Sequence, residues 1–202
     1  MGGVTESGFF YDLFMAPLEK GALGRLRSWV LPLAEGRVLE VGAGTGANLQ
    51  HLAAGRVSEL VVSDPSLNTG RILRKARFSG GGGPQMSCVC AGVEDLPFPD
   101  GAFDCVVSTL VFCTVPDPEA GLREIRRVLK PGGSFLFIEH VLPRRRGTAA
   151  LFRFIAPAWS AFASGCRLDR RTVDIIAAAG FEIRELRYAG GDVFAAGRAV
   201  RA

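Results

Sequence analysis

The sequence holds only two histidines, His51 and His140, and none of its five cysteines forms a C-x-x-C pair. A metal centre needs several donors at recurring spacings, so no metal site is read from it. No apolar run reaches the ~18 to 20 residues of a membrane span. No basic stretch followed by an apolar one opens the chain as a secretory leader would. The expectation is a soluble, cytoplasmic protein with free thiols. Cys88 and Cys90 stand two apart in an apparent strand and so point the same way rather than at each other. A dominant charge is missing too. The formal net charge is +4, and the basic residues are scattered over positions 71 to 77, 123 to 130 and 144 to 146, as solvated helix faces and loop ends are. Aromatic and basic residues do not interleave into a stacking platform, so no nucleic-acid partner is expected, and contact with a membrane is the lesser reading of the charge.

The chain does have a core to bury: 202 residues, 48% of them hydrophobic, suit one domain. Its centre is the stretch from Arg37 to Gln50. Val38, Leu39 and Val41 are a short run of β character, Gly42, Gly44 and Gly46 follow at once, and Asn48 to Leu52 take up a helical pattern. Alternate glycines let the backbone bend tightly and let a ligand approach where a Cβ would collide. Gly42, Gly44 and Ala47 also satisfy a dinucleotide fingerprint. Glu40 tips the balance, because a carboxylate two residues before the first glycine suits an ammonium group and sits poorly beside a pyrophosphate.

Further along, Leu60 to Ser63 reads as a second strand ending in Asp64-Pro65. Asp64 lies where a nucleoside-binding α/β fold places the carboxylate that accepts from ribose hydroxyls; its alternative is a helix cap. A helix through Ile72 and Leu73 precedes the glycine loop at 79 to 84. Strands follow at Gln85 to Ala91, Cys105 to Leu110 and Ser134 to His140, the last after a turn at Leu129 to Gly133. Leu122, Ile125 and Val128 form the core stripe of the helix between the last two strands. The back half reads as a helical segment from Ala149 to Phe162, a second segment from Leu168 to Ala179, and strands at Phe181 to Tyr188 and Val193 to Val200. Gly190-Gly191 joins those two strands as a hairpin, so the last strand runs antiparallel. The fold class expected is α/β: a doubly wound, Rossmann-like, seven-stranded, mostly parallel sheet with helices on both faces. The first 34 residues form a helical cap on a core of residues 35 to 202. The aromatic stretch 8 to 18 is either a lid, a membrane contact or plain core.

The string Glu40-Val41-Gly42-Ala43-Gly44-Thr45-Gly46 resembles the E-x-G-x-G-x-G signature of class I S-adenosylmethionine-dependent methyltransferases. The resemblance implies that Glu40, Gly42, Ala43, Gly44, Gly46 and Asn48, with Tyr11, hold the amino-acid end of S-adenosylmethionine. It also implies that Asp64 and Pro65 hold the ribose, that Val93 and Glu94 contact adenine, and that Thr109 and Leu110 border the methyl group. Many relatives carry Asp where this chain has Gly92. The back half, with Glu139-His140-Val141, Pro157-Ala158-Trp159 and Gly165-Cys166-x-Leu168-x-Arg170, is similar to the membrane-associated alkyl-thiol methyltransferases of the methyltransferase-like family, whose N-terminal anchor is not seen here.

Methyl transfer is an in-line displacement that needs alignment and exclusion of water, worth on the order of 7 to 11 kcal/mol when alignment is good. A thiol acceptor, with a reference pKa near ~8.5, supplies some thiolate unaided and tolerates the scarcity of bases. His140 is the candidate base, ahead of Asp169 and Glu139, and its alternative is a buried structural histidine. Cys113, His140 and Trp159 are expected around the acceptor, with Phe152, Phe154 and Phe162 either walling it or packing the back helix on the sheet. The function expected is methyl transfer to a small hydrophobic thiol. The alternatives are a quinone-type carbon, a phospholipid or other amine, and a module that binds the cofactor without turnover.

Overall fold

The computed structural model describes residues 19 to 53, 55 to 66, 83 to 163 and 165 to 202, without the side chains of 19, 20 and 162. Tyr11, the stretch 8 to 18 and the helix through Ile72 and Leu73 lie outside the described residues. Seven strands make one sheet: β1 (Gly36–Val41), β2 (Val57–Ser63), β3 (Gln85–Val89), β4 (Phe103–Thr109), β5 (Leu129–His140), β6 (Phe181–Ala189) and β7 (Phe194–Arg201). Their order is β3-β2-β1-β4-β5-β7-β6. The first five run parallel, and β7 is antiparallel to both β5 and β6. The chain reverses direction across the sheet between β1 and β4, and their carboxyl ends are where open α/β sheets bind ligands.

Alternation along the central strands sorts side chains onto two faces. Val38, Leu60, Val62, Cys105, Val107, Leu136 and Ile138 face α1 (Gly24–Val30). Leu39, Val41, Val61, Val106, Phe135 and Phe137 face α2 (Pro118–Val128) and α4 (Thr172–Ala178). Near-continuous apolar strands are what a sheet covered on both sides requires. α2 carries the clearest local signals: Asp117 caps it by accepting from the Ala120 amide at 2.9 Å, and Pro118 opens its first turn.

Several boundaries differ from expectation. The helix after the glycine turn is a single 3-10 turn, Leu49–His51, because the chain must re-enter the sheet at Val57. The turn expected at Leu129 to Gly133 is a break in register within β5: Phe103 faces Leu129, whereas Cys105 already faces Ser134. The third strand stops at Val89, and α3 (Arg146–Phe162) begins three residues before the expected Ala149. Of the segment 168 to 179, only α4 is helical.

Candidate active site

The glycine turn is held by the strand beside it. Gly42 and Ala43 donate their amides to the Ser63 carbonyl at 2.8 and 3.3 Å, and Gly44 donates to Asp64 Oδ2 at 2.9 Å. Asp64 Oδ1 accepts from the amide and hydroxyl of Ser66, so this buried carboxylate already links the turn to the end of β2. Gly42 and Gly44 both have positive φ, but for different reasons. A Cβ on Gly42 would lie 2.4 Å from Val111 Cγ2, whereas one on Gly44 would meet nothing within 4 Å. Gly42 lets β1 pack beneath the loop after β4. Gly44 leaves the open side of the turn clear.

Beside the turn lies a buried polar network. Glu40 sits on the α1 face of the sheet, since its neighbours Leu39 and Val41 face the other way. Asn48 Nδ2 donates to Glu40 Oε1 at 2.9 Å and to Thr109 Oγ1 at 3.0 Å, and Arg27 Nε donates to Asn48 Oδ1 at 2.9 Å. Three residues expected at the cofactor are thereby joined. Burial pushes the Glu40 carboxyl up to about 7, against the pull of Asn48 and Arg27. Its Oε2 atom finds no hydrogen-bond partner among the described residues. A buried carboxylate oxygen beside an open glycine turn is the acceptor that an ammonium group fits. The residues thus suit the amino-acid end of S-adenosylmethionine. Arg27 was not anticipated. It lies on α1 within the stripe Leu23, Leu26 and Val30, and a cation inside an apolar stripe is the signal that could have found it.

The loop after β4 is built around Glu139. Its carboxylate accepts from the Ser108 hydroxyl at 2.9 Å, from the Val111 and Cys113 amides at 3.1 Å each, and from the Phe112 amide. Burial raises its pKa to about 7, while these donors pull the other way. Leu110 takes φ 57° at the head of this loop, a left-handed conformation that costs a non-glycine residue on the order of 1 to 3 kcal/mol. The Glu139 bonds hold it there. Glu139, expected as a minor candidate for the base, is therefore an anchor for the backbone. Val93 is buried against the same core, and Glu94 is half-buried beside Gly92.

His140 points to the other face of the sheet. Its ring stacks on Phe152 at 5.9 Å and meets Phe194 edge-on at 5.6 Å. Burial lowers its pKa to about 4, so the imidazole is neutral near pH 7, and its Nδ1 has no partner among the described residues. Phe154 is 84% exposed and walls nothing, because two residues along a helix turn the side chain about 200° away from Phe152. The Phe162 side chain lies outside the described residues. Asp169 is paired with Arg167 at 3.2 Å, which holds its carboxyl below the usual range and makes it a poor base. A cavity of about 680 Å³ opens between the end of β5, the start of α3 and α4, and His140 does not line it. Arg144, Arg146, Arg153, Arg171, Asp174 and Tyr188 line it beside Val141, Leu142, Pro143, Ala149 and Val173.

Cys113 lies on the loop after β4, where its amide donates to Glu139, and Trp159 and Cys166 lie on and just after α3. The neighbouring Cys166 thiol, burial and the Glu139 carboxylate push the Cys113 thiol well above its ordinary range. No three His, Cys, Asp or Glu side chains gather as metal ligands among the described residues, and no described helix is long and apolar enough to cross a membrane.

Residues 39–137 match the family model described as a methyltransferase domain. The chain is 32% identical to thiol S-methyltransferase TMT1A of Homo sapiens over 186 residues, covering 88% of this chain and 73% of that protein. It is 35% identical to thiol S-methyltransferase TMT1B of Rattus norvegicus, over 75% of this chain and 62% of the relative. It is also 35% identical to a demethylmenaquinone methyltransferase of Clavibacter sepedonicus, over 64% of this chain and 53% of that one. The chain thus spans roughly half to three quarters of the length of these relatives. Among solved structures, an S-adenosylmethionine-dependent methyltransferase of Thermotoga maritima, a possible histamine N-methyltransferase, superposes with a TM-score of 0.67 at 22% identity, covering 96% of this chain and 98% of that one. That likeness carries the fold.

Proposed function

The chain belongs to the class I S-adenosylmethionine-dependent methyltransferases, and from that premise we propose that it methylates a small, largely apolar thiol. The observation that carries the acceptor class is the likeness to a thiol S-methyltransferase along 88% of the chain, back half included. The chemistry agrees. When bound, the cofactor supplies an electrophilic methyl group. The protein's own residues hold and align: Glu40 Oε2 takes the ammonium group, Gly44 leaves room for the amino-acid end, and the loop from Leu110 to Cys113 borders the reacting carbon. Deprotonation of an alcohol or amine would call on a base, and the buried neutral imidazole of His140 is a weak one. A thiol needs little help.

A quinone-type carbon acceptor is the second reading, favoured by the likeness to a demethylmenaquinone methyltransferase over 64% of the chain. The test is release of S-adenosylhomocysteine with alkyl thiols, thiophenol and a demethylated quinone, on wild type and His140→Phe. A thiol enzyme shows thiol-dependent release and keeps activity in the variant within about tenfold, a change in barrier of ~1.4 kcal/mol. Release with the quinone alone replaces the acceptor class. Cofactor binding without release on any acceptor makes the chain a binding module.

A further inference from the structure

Arg146, Ala149 and Arg153 stand three and four residues apart on α3, so they share one helix face, and all three line the cavity at the end of β5. Ala149 is buried, and its short side chain leaves depth between the two arginines. Arg171 and Asp174 come from the start of α4 and pair at 3.6 Å. Arg144 comes from the loop after β5, and its guanidinium lies over the Tyr188 ring at 5.5 Å. Strand register puts this cavity on the carboxyl edge of the sheet, since Glu139 faces Ala195 on β7 and Ala195 faces Tyr188 on β6. No described residue of the glycine turn lines it. Its charge is what needs a cause. Four guanidiniums and one carboxylate line it, and among the described residues no acid pairs with Arg144, Arg146 or Arg153. Like charges gathered around a concave surface repel one another and focus a positive field into it, which draws an anion. α3 begins at the same rim with no side-chain cap and no acid in its first turn, so its dipole adds to that field.

From this arrangement we infer that the cavity is a binding site for a phosphate monoester whose remainder is apolar. The Arg171–Asp174 pair offsets itself and leaves three guanidiniums for the ligand. A carboxylate brings one negative charge and two oxygens, whereas a phosphate monoester brings about 1.5 to 2 charges near pH 7 and three strong acceptor oxygens. Guanidinium forks grip such oxygens in pairs. Arg144 is already seated on Tyr188, while Arg146 and Arg153 reach in from one face of α3. The volume, about 680 Å³, suits a whole small molecule rather than a lone ion. Val141, Leu142 and Pro143 give its apolar remainder a surface. The arginines read the phosphate itself, whether it belongs to a soluble ester or to a lipid headgroup. Binding here uses neither the cofactor cradle nor the thiol acceptor, so the site stands whichever molecule the chain methylates.

The test is titration calorimetry of the full chain with hexyl phosphate, inorganic phosphate and hexanoate at constant ionic strength. Hexyl phosphate should fill one saturable site, at least about tenfold more tightly than either of the other two. Arg153→Gln should weaken it by about tenfold or more, the loss of one charged hydrogen-bond partner. Arg123→Gln removes the same charge from an exposed position on α2 that does not line the cavity, and should leave affinity unchanged within about twofold. Absence of saturable hexyl phosphate binding to the wild-type chain overturns the inference. Equal affinity for hexanoate overturns the phosphate assignment, and equal losses in the two variants would reduce the site to general attraction by positive charge. With the site established, sedimentation with vesicles containing phosphatidic acid identifies the source of the phosphate. Pelleting that Arg153→Gln abolishes assigns it to a lipid headgroup, and the absence of pelleting assigns it to a soluble ester.

Discussion

The two halves of the carboxyl edge differ in how far most of their contacts reach along the chain. Around β1 and β2 most join nearby stretches: the glycine turn bonds to Ser63 and Asp64, and Asn48 reaches back eight residues to Glu40, although Asn48 also reaches Thr109 over 61 residues. Around β5 and α3 the contacts span long separations, with Glu139 holding the loop after β4 and Arg170 reaching Phe112 over 58 residues. The first half presents a polar, nearly saturated cradle with one open carboxylate oxygen. The second presents a cavity where arginines, Asp174 and Tyr188 stand beside a few apolar side chains. A cradle for a constant ligand can be largely local, whereas a region assembled from distant elements, where the proposed acceptor would sit, can vary without disturbing it.

The sharpest way to test that division is to fill the cradle. Gly44→Val should lower S-adenosylmethionine affinity by on the order of 100-fold or more, about 2.7 kcal/mol. A Cβ here meets nothing within 4 Å, so the change strains only the turn at its positive φ; far-UV circular dichroism should keep the folded signal, and titration calorimetry reads the loss. Retained affinity would move the ligand off this turn. Next comes the anchor of the other half. Glu139→Gln replaces an acceptor of four donors by a group that presents an N–H to some of them, and should cost about 2 to 3 kcal/mol in urea denaturation. A loss under ~0.5 kcal/mol would mean that the loop holds itself.

The smallest effect concerns pH. The folded pKa of Glu40, about 7, lies above its ordinary 4.5, so between these values the folded protein binds more protons than the unfolded chain. The stability this proton confers is fully present below about pH 4.5 and is lost as pH rises toward 7. Relative to Glu40→Gln, the ligand-free protein should therefore lose roughly 1 to 3 kcal/mol between pH 5 and 8. Bound S-adenosylmethionine should erase that loss, and its affinity should rise with pH across the same window in wild type only. Parallel stability curves for the two proteins would place Glu40 outside the titrating group.

What could be read beforehand follows the same division. Val38 to Gly46 and Leu60 to Asp64 announced strand, turn and carboxylate because their structure is decided within a few residues. The antiparallel last strand followed from Gly190-Gly191 in the same way. Arg27 was hidden because a residue at helical spacing with leucines was read by its neighbours rather than by its charge. Glu139 was read as a base candidate because nothing local says that it faces Ser108 and the amides of 111 to 113. The reach of Arg170 to the Phe112 and Val115 carbonyls depends on where the chain runs after α3, which no pattern in either stretch encodes. Phe154 shows the converse error, since an aromatic residue in an aromatic helix still obeys the helical angle.

The Glu139 anchor also bears on timing. A loop that had to find its shape after each encounter would lose roughly 1 to 2 kcal/mol of backbone entropy per residue at that moment, and part of every binding event would be spent searching. With its amides already gathered on one carboxylate, the stretch from Leu110 to Cys113 is ordered once, when the chain folds, and what remains for each arriving molecule is diffusion and fit.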